Sequence, residues 1–115
     1  MHEATLISEV ISVIEERVKT EKLGKVKVVL LEVGALAAVE LEALEFMYEA
    51  LKEGTRLEGA RLEIVKKSAK AMCGLCEKNF EISSYRDVCP ICGSLDFKII
   101  EGDQIFIKNI EVEDN

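Results

Sequence analysis

Four cysteines occur in this chain, in two pairs of one pattern: Cys73-Gly74-Leu75-Cys76 and Cys89-Pro90-Ile91-Cys92. Twelve residues separate the pairs, and no cysteine is left over. Two residues between cysteines let a tight turn aim both sulfurs at one point, and Gly74, Pro90 and Gly93 suit such turns. Four thiolates so placed can converge on one tetrahedral Zn²⁺, with two turns facing each other across a short hairpin in a zinc ribbon. A disulfide framework is the first alternative. Against it, residues 1–18 carry Glu3, Glu9, Glu15, Glu16 and Arg17 and lack the basic start, apolar run and cleavage site of an export signal. Without export, cytosolic reductants keep thiols free. A redox dithiol is the second alternative, but that chemistry calls for one Cys-x-x-Cys opening a helix, not two facing pairs.

The other candidate chemistry lies at the opposite end. His2 is the only histidine, and alone it reads as a chance terminal residue. Its position raises its value. Initiator methionine is normally trimmed only before a small residue, so Met1 is expected to stay and to fix a free amine one residue before the imidazole. The Met1 amine, the His2 amide nitrogen and an imidazole nitrogen can then form fused chelate rings around one ion. Nitrogen donors in a plane favour Ni²⁺ or Cu²⁺ over Zn²⁺. A helix begins just behind, and its first amides have no intrahelical acceptor, so a metal claims one without breaking a helical bond. Glu3 adds a carboxylate or orients the imidazole. Both a square-planar nitrogen site and a six-coordinate site with water are compatible with these residues.

The elements that must position these groups follow from hydrophobic spacing. Leu6, Ile7, Val10, Ile11, Ile14 and Val18 recur at three and four, predicting a helix over 4–22 that ends at Leu23-Gly24, with Gly24 left-handed. Residues 25–33 read as a strand apolar on both faces, hence central and covered. Residues 39–53 read as a second helix with Leu41, Leu44, Met47, Tyr48 and Leu51 inward and Gly54 at its end; Met47 is assigned to the core, not to a metal. The start, Ala37-Ala38-Val39-Glu40-Leu41-Glu42, offers no strong side-chain N-cap. Residues 60–67 form a second strand with Leu62 and Ile64 inward. The ribbon runs from about 72 to 99, with Phe80 and Ile82 on a short strand. Residues 104–113 form a last strand whose apolar phase changes between Ile107 and Ile110, predicting a bulge near Lys108-Asn109. The expected fold is mixed α+β: two helices packed on a small three-stranded sheet, with an inserted zinc ribbon. The domains are residues 1–70 plus 103–115, and 71–102. The last strand returns to the first domain's sheet, so the ribbon hangs on two chain crossings.

Composition narrows the function. At 115 residues with 49% hydrophobic, the chain has ample material for a core built mostly from aliphatic side chains, since aromatics are only 5%. No apolar run reaches the roughly 18 residues of a membrane span. Zinc ribbons often serve nucleic-acid machinery, and a ribbon module for nucleic acid or a transcription or translation assembly is the alternative reading. Phosphate binding needs lysine and arginine, however, and the net charge is −7. An enzyme is not expected: there is no open metal site, no Ser/His or Cys/His couple, and no paired carboxylates in context. Glu9, Glu16 and Glu45 are candidates to flank a docking surface, or ordinary solvated charges.

Taken together, Met1-His2-Glu3, the helix behind it, Glu32-Val33-Gly34, Glu53-Gly54-Thr55, Gly59-Ala60-Arg61-Leu62-Glu63-Ile64 and both cysteine pairs resemble the hydrogenase maturation nickel chaperone family HypA/HybF. The likeness covers essentially the whole chain. It implies a cytoplasmic nickel metallochaperone that works with the GTPase HypB to supply the large subunit precursor of [NiFe]-hydrogenase, and in some organisms urease. It maps a nickel site onto Met1, His2 and Glu3 and a structural zinc site onto Cys73, Cys76, Cys89 and Cys92. Nickel is then cargo and zinc a resident ion, in a monomer or dimer that binds neither nucleic acid nor membrane. Some relatives carry a histidine within the ribbon; this chain has none there.

Overall fold

A computed structural model describes residues 3–113. Of the three terminal metal candidates, Glu3 is described, while Met1 and His2 lie outside the described residues. The order is α1 (Glu3–Glu21), β1 (Val26–Gly34), α2 (Leu41–Leu51), β2 (Arg61–Lys67), β3 (Ala69–Cys73), β4 (Asn79–Ile82), β5 (Phe97–Glu101) and β6 (Ile105–Val112). The strands form two three-stranded sheets, ordered β2-β1-β6 and β4-β3-β5. This is the mixed α+β architecture expected from the spacing, with the last strand beside β1. No helix among the described residues is long and apolar enough to cross a membrane.

The described residues divide into two compact units. The first takes those up to Leu31, Ala38–Ile64 and those from Ile107 onward; the second takes Glu32–Ala37 and Val65–Phe106.

In the first unit, α1 buries Ile7, Val10, Ile11, Ile14 and Val18, one stripe at helical spacing. Its end differs from expectation. Lys22, not Gly24, takes the left-handed conformation, at φ 53°, and the Leu23 amide donates to the Val18 carbonyl at 3.0 Å. This is a Schellman closure, and half-buried Leu23 supplies the apolar contact that follows it. The need to tuck in Leu23 therefore sets the stop, ahead of the glycine. Strand β1 lies centrally, and its successive residues Val28 and Val29 are both buried, so both strand faces are covered.

Helix α2 is shorter at both ends than its apolar pattern suggested. Leu44 and Tyr48 are fully buried, while Met47 is half-buried, on the core side as expected. The Tyr48 hydroxyl donates to the Ala60 carbonyl at 2.8 Å, and the Lys52 ammonium lies 5.4 Å from the ring centroid. The α2 start has no side-chain cap of its own. Instead the backbone amide of Glu40, the N-cap residue, donates to Oε2 of Glu3 at 3.1 Å. In β6 the burial alternation changes phase across exposed Lys108 and Asn109, where the sequence places it.

The second unit is built on β3, which pairs antiparallel with both β4 and β5. Ala71 faces Phe80 on one side and Ile99 on the other. The core gathers Leu36, Ala69, Ala71, Phe80 and Ile82 with buried Cys73 and Cys89. Phe80 meets Phe97 edge-to-face at 5.8 Å. Two glycines let backbones cross closely here. A Cβ on Gly34 would strike the Gly102 carbonyl, and Gly102 itself has φ 92°. The Ala35 amide donates to Lys67 O and the Leu36 amide to Gly102 O, each at 2.8 Å. Residues 35–36 thus stitch together the two segments that lead into and out of the ribbon.

The buried Tyr48 phenol gives a test of the first unit. Burial, with a smaller push from the Glu49 carboxylate, raises it from 10.0 to about 12. Folding therefore favours the protonated phenol; that contribution is full below pH 10 and is lost as pH rises through 12. Tyr48→Phe should lower unfolding free energy by about 1 kcal/mol at neutral pH. It should also blunt the alkaline loss of stability between pH 10 and 12, as read by denaturant titration at several pH values.

Candidate metal centre

The two cysteine turns are built alike, bond for bond. In the first, the Cys73 amide donates to Lys78 O at 3.0 Å and the Glu77 amide to Cys73 O at 3.1 Å. In the second, the Cys89 amide donates to Ser94 O at 3.0 Å and the Gly93 amide to Cys89 O at 2.8 Å. In each, the residue after the second cysteine is left-handed: Glu77 at φ 60° and Gly93 at φ 75°. The glycine adopts this freely, whereas a glutamate does so at a cost of roughly 1–2 kcal/mol. That reversal lets the chain turn back after delivering two sulfurs to one point. Gly74 is needed for space: a Cβ there would sit 2.5 Å from Asp96 Oδ2, and its amide donates to Asp96 O at 2.7 Å.

The outcome is one cluster. The ligand atoms of Cys73, Cys76, Cys89 and Cys92 all lie within 4.8 Å of one another. Cys73 Sγ is 3.4 Å from Cys92 Sγ, and Cys76 Sγ is 3.6 Å from Cys89 Sγ. These separations are too long for disulfides, which need about 2.05 Å, and all four cysteines are free. They fit a metal: Zn–S bonds of about 2.3 Å in a tetrahedron place sulfurs about 3.8 Å apart. Cys73 and Cys89 are buried, Cys76 is half-buried and Cys92 exposed.

The backbone prepares the site for anionic sulfur. Amides of Leu75 and Cys76 lie 3.4 and 3.5 Å from Cys73 Sγ. The Cys76 and Leu75 amides draw the Cys73 thiol down to about 6. Cys92 moves the other way: the Ser94 amide pulls it down, but the neighbouring sulfurs, Cys73 foremost, and burial outweigh that and push it up to about 11. Four thiolates cannot crowd together uncompensated, so a cation of soft-ligand preference is the natural complement. A full set of four protein sulfurs leaves no position open for a substrate or water.

Sequence spacing located all four cysteines of the cluster. It did not locate Leu36, which is distant in the chain yet packs into the core that carries Cys73 and Cys89. Nor did it show that the Glu3 carboxylate, assigned from sequence to a metal or to the imidazole, also accepts the α2 N-cap amide. Neither contact leaves a local pattern. The repeat of the left-handed position after each second cysteine was visible only at Gly93.

Known proteins resemble the chain over nearly its whole length. A family model described as "Hydrogenase/urease nickel incorporation, metallochaperone" matches residues 1–112. A hydrogenase maturation factor HypA from Azotobacter chroococcum is 41% identical over 113 residues, 98% of this chain and 100% of that one. The factor of the same name from Geobacter sulfurreducens is 36% identical over the same length and shares. In fold, the chain is similar to the solution structure of the Ni metallochaperone HypA from Helicobacter pylori, with TM-score 0.74, 24% identity and 97% of each chain covered.

The left-handed positions make a direct test. Glu77→Gly should raise the stability of the ribbon by about 1 kcal/mol and Gly93→Ala should lower it by a similar amount. No atom lies within 4 Å of a Cβ at position 93, so any loss there is conformational. Denaturant unfolding of both variants checks this.

Proposed function

The chain belongs to the HypA family of hydrogenase/urease nickel-incorporation metallochaperones, and from that membership we propose that it carries Ni²⁺ on Met1, His2 and Glu3. The match over residues 1–112 is the observation that carries this reading. The chemistry of the residues supports it. An amine, an amide and an imidazole in sequence make a compact nitrogen set suited to Ni²⁺. The set is incomplete without outside ligands, a property that suits handing an ion on, not storing it. Glu3 also accepts the Glu40 amide through one carboxylate oxygen, a bond that ties the start of α1 to α2 and so helps to orient the proposed site.

Zinc has the opposite role. Cys73, Cys76, Cys89 and Cys92 would hold Zn²⁺ in a closed shell, supplying on the order of 10 kcal/mol to order the ribbon. When bound, the ion neutralises the gathered thiolates and ties the two turns together. The chain itself supplies the orientation, through the paired amide bonds of each turn. In this reading the protein works without catalysis in the cytoplasm, as a monomer or dimer. It passes nickel with the GTPase HypB to the hydrogenase large subunit precursor, and the family description extends that service to urease.

Calorimetry on untagged protein tests the cargo site. One Ni²⁺ should bind per chain, and His2→Ala should weaken binding at least about 100-fold, since it removes a chelating nitrogen. Affinity should fall as pH drops below about 6.5, because binding needs the unprotonated imidazole. Unchanged affinity in His2→Ala would refute the terminal site.

A further inference from the structure

Helix α2 turns an unusual face outward. Phe46 is 67% exposed, more than any other aromatic side chain among the described residues. Spacings of three and four align it with half-buried Ala43 and exposed Ala50 in one stripe, and set Glu42, Glu45 and Glu49 along one flank. The helix contains no basic residue. Lys52, just beyond it, is committed to Glu49 at 2.8 Å, with its side chain only 15% exposed. Glu42 and Glu45 have no basic partner among the described residues. On α1, by contrast, Arg17 pairs with Glu21 at 2.9 Å and Lys19 lies in the last turn.

An apolar stripe with an acidic flank is complemented by an apolar stripe with a basic flank. A second copy of this chain does not fit, because a symmetric contact through this face would set the same glutamates against each other. Anionic membranes and nucleic acid are repelled for the same reason. The position of the face adds to its meaning. The N-cap of α2 is held by the Glu3 carboxylate at 3.1 Å, so an occupant of this helix sits beside the start of α1.

We propose that the outer face of α2, with Phe46 as its anchor and Glu42, Glu45 and Glu49 as its charged rim, docks a basic amphipathic helix of a partner protein. Its use in passing on cargo rests on the nickel-terminus reading; the docking itself does not. Phe46 supplies the desolvated aromatic contact that dominates such interfaces, and the glutamates supply orientation and salt sensitivity.

The test uses a synthetic amphipathic helical peptide of leucine and lysine, with a scrambled peptide of the same composition, in fluorescence anisotropy against the full chain. The amphipathic peptide should bind one to one, and Phe46→Ala should weaken it at least about tenfold, with Phe46→Leu recovering part of the loss. The triple variant Glu42→Gln, Glu45→Gln, Glu49→Gln should flatten the salt dependence, whereas Glu9→Gln, Glu15→Gln, Glu16→Gln on α1 should not. Equal binding of the scrambled peptide, an equal effect of the α1 triple, or no effect of Phe46→Ala overturns the proposal. Nickel calorimetry on Phe46→Ala keeps the readings apart. Uptake should match the parent chain, so loss of docking with nickel intact concerns α2 alone, and absence of nickel binding in both concerns the terminus alone.

Discussion

Four sulfur atoms aimed at one point are the constraint on which the second unit depends. Its apolar core is small, with Leu36, Ala69, Ala71, Phe80 and Ile82 at its centre, and small modules of this kind need a cross-link. The two matched turns exist to deliver the sulfurs. They explain the left-handed residues that follow each pair, the open space required at Gly74, and the central place of β3, which ends at Cys73. The stitching of Ala35 and Leu36 to Lys67 and Gly102 then fixes the two segments from which the ribbon is hung.

Much of this was legible beforehand, for identifiable reasons. A Cys-x-x-Cys pair encodes a turn within four residues, so its geometry is local. The α1 stripe and the two-faced apolar run of β1 are likewise periodic signals, and periodicity survives folding. The change of phase at Lys108-Asn109 could be read from the isoleucines on either side. What escaped was non-local or set by competition. The α2 start carries no cap in its own sequence because Glu3 meets the Glu40 amide from 37 positions away. The sequence points to a stop of α1 at a glycine, yet the burial of Leu23 closes the helix earlier and draws Lys22 into a conformation that glycine would adopt more easily. Strand β3 mixes small and polar residues, Ala69-Lys70-Ala71-Met72-Cys73, whose alternation means little until Phe80 and Ile99 are set against it.

On the proposed reading, ligand chemistry separates a permanent metal from a transferable one. Sulfur ligands from two separated turns enclose an ion from all sides and link it to the fold. In the proposed nickel site, nitrogen ligands from two successive residues, with the carboxylate of a third, would enclose the ion from one side only. The net charge of −7 weakens attraction to phosphate and favours basic protein surfaces.

X-ray absorption at both metal edges, on untagged protein loaded with one Zn²⁺ and one Ni²⁺, tests this separation most directly. The account predicts a zinc shell of four sulfurs at about 2.3 Å and a nickel shell of nitrogen and oxygen alone. Sulfur in the nickel shell, or nitrogen and oxygen in the zinc shell, would contradict it.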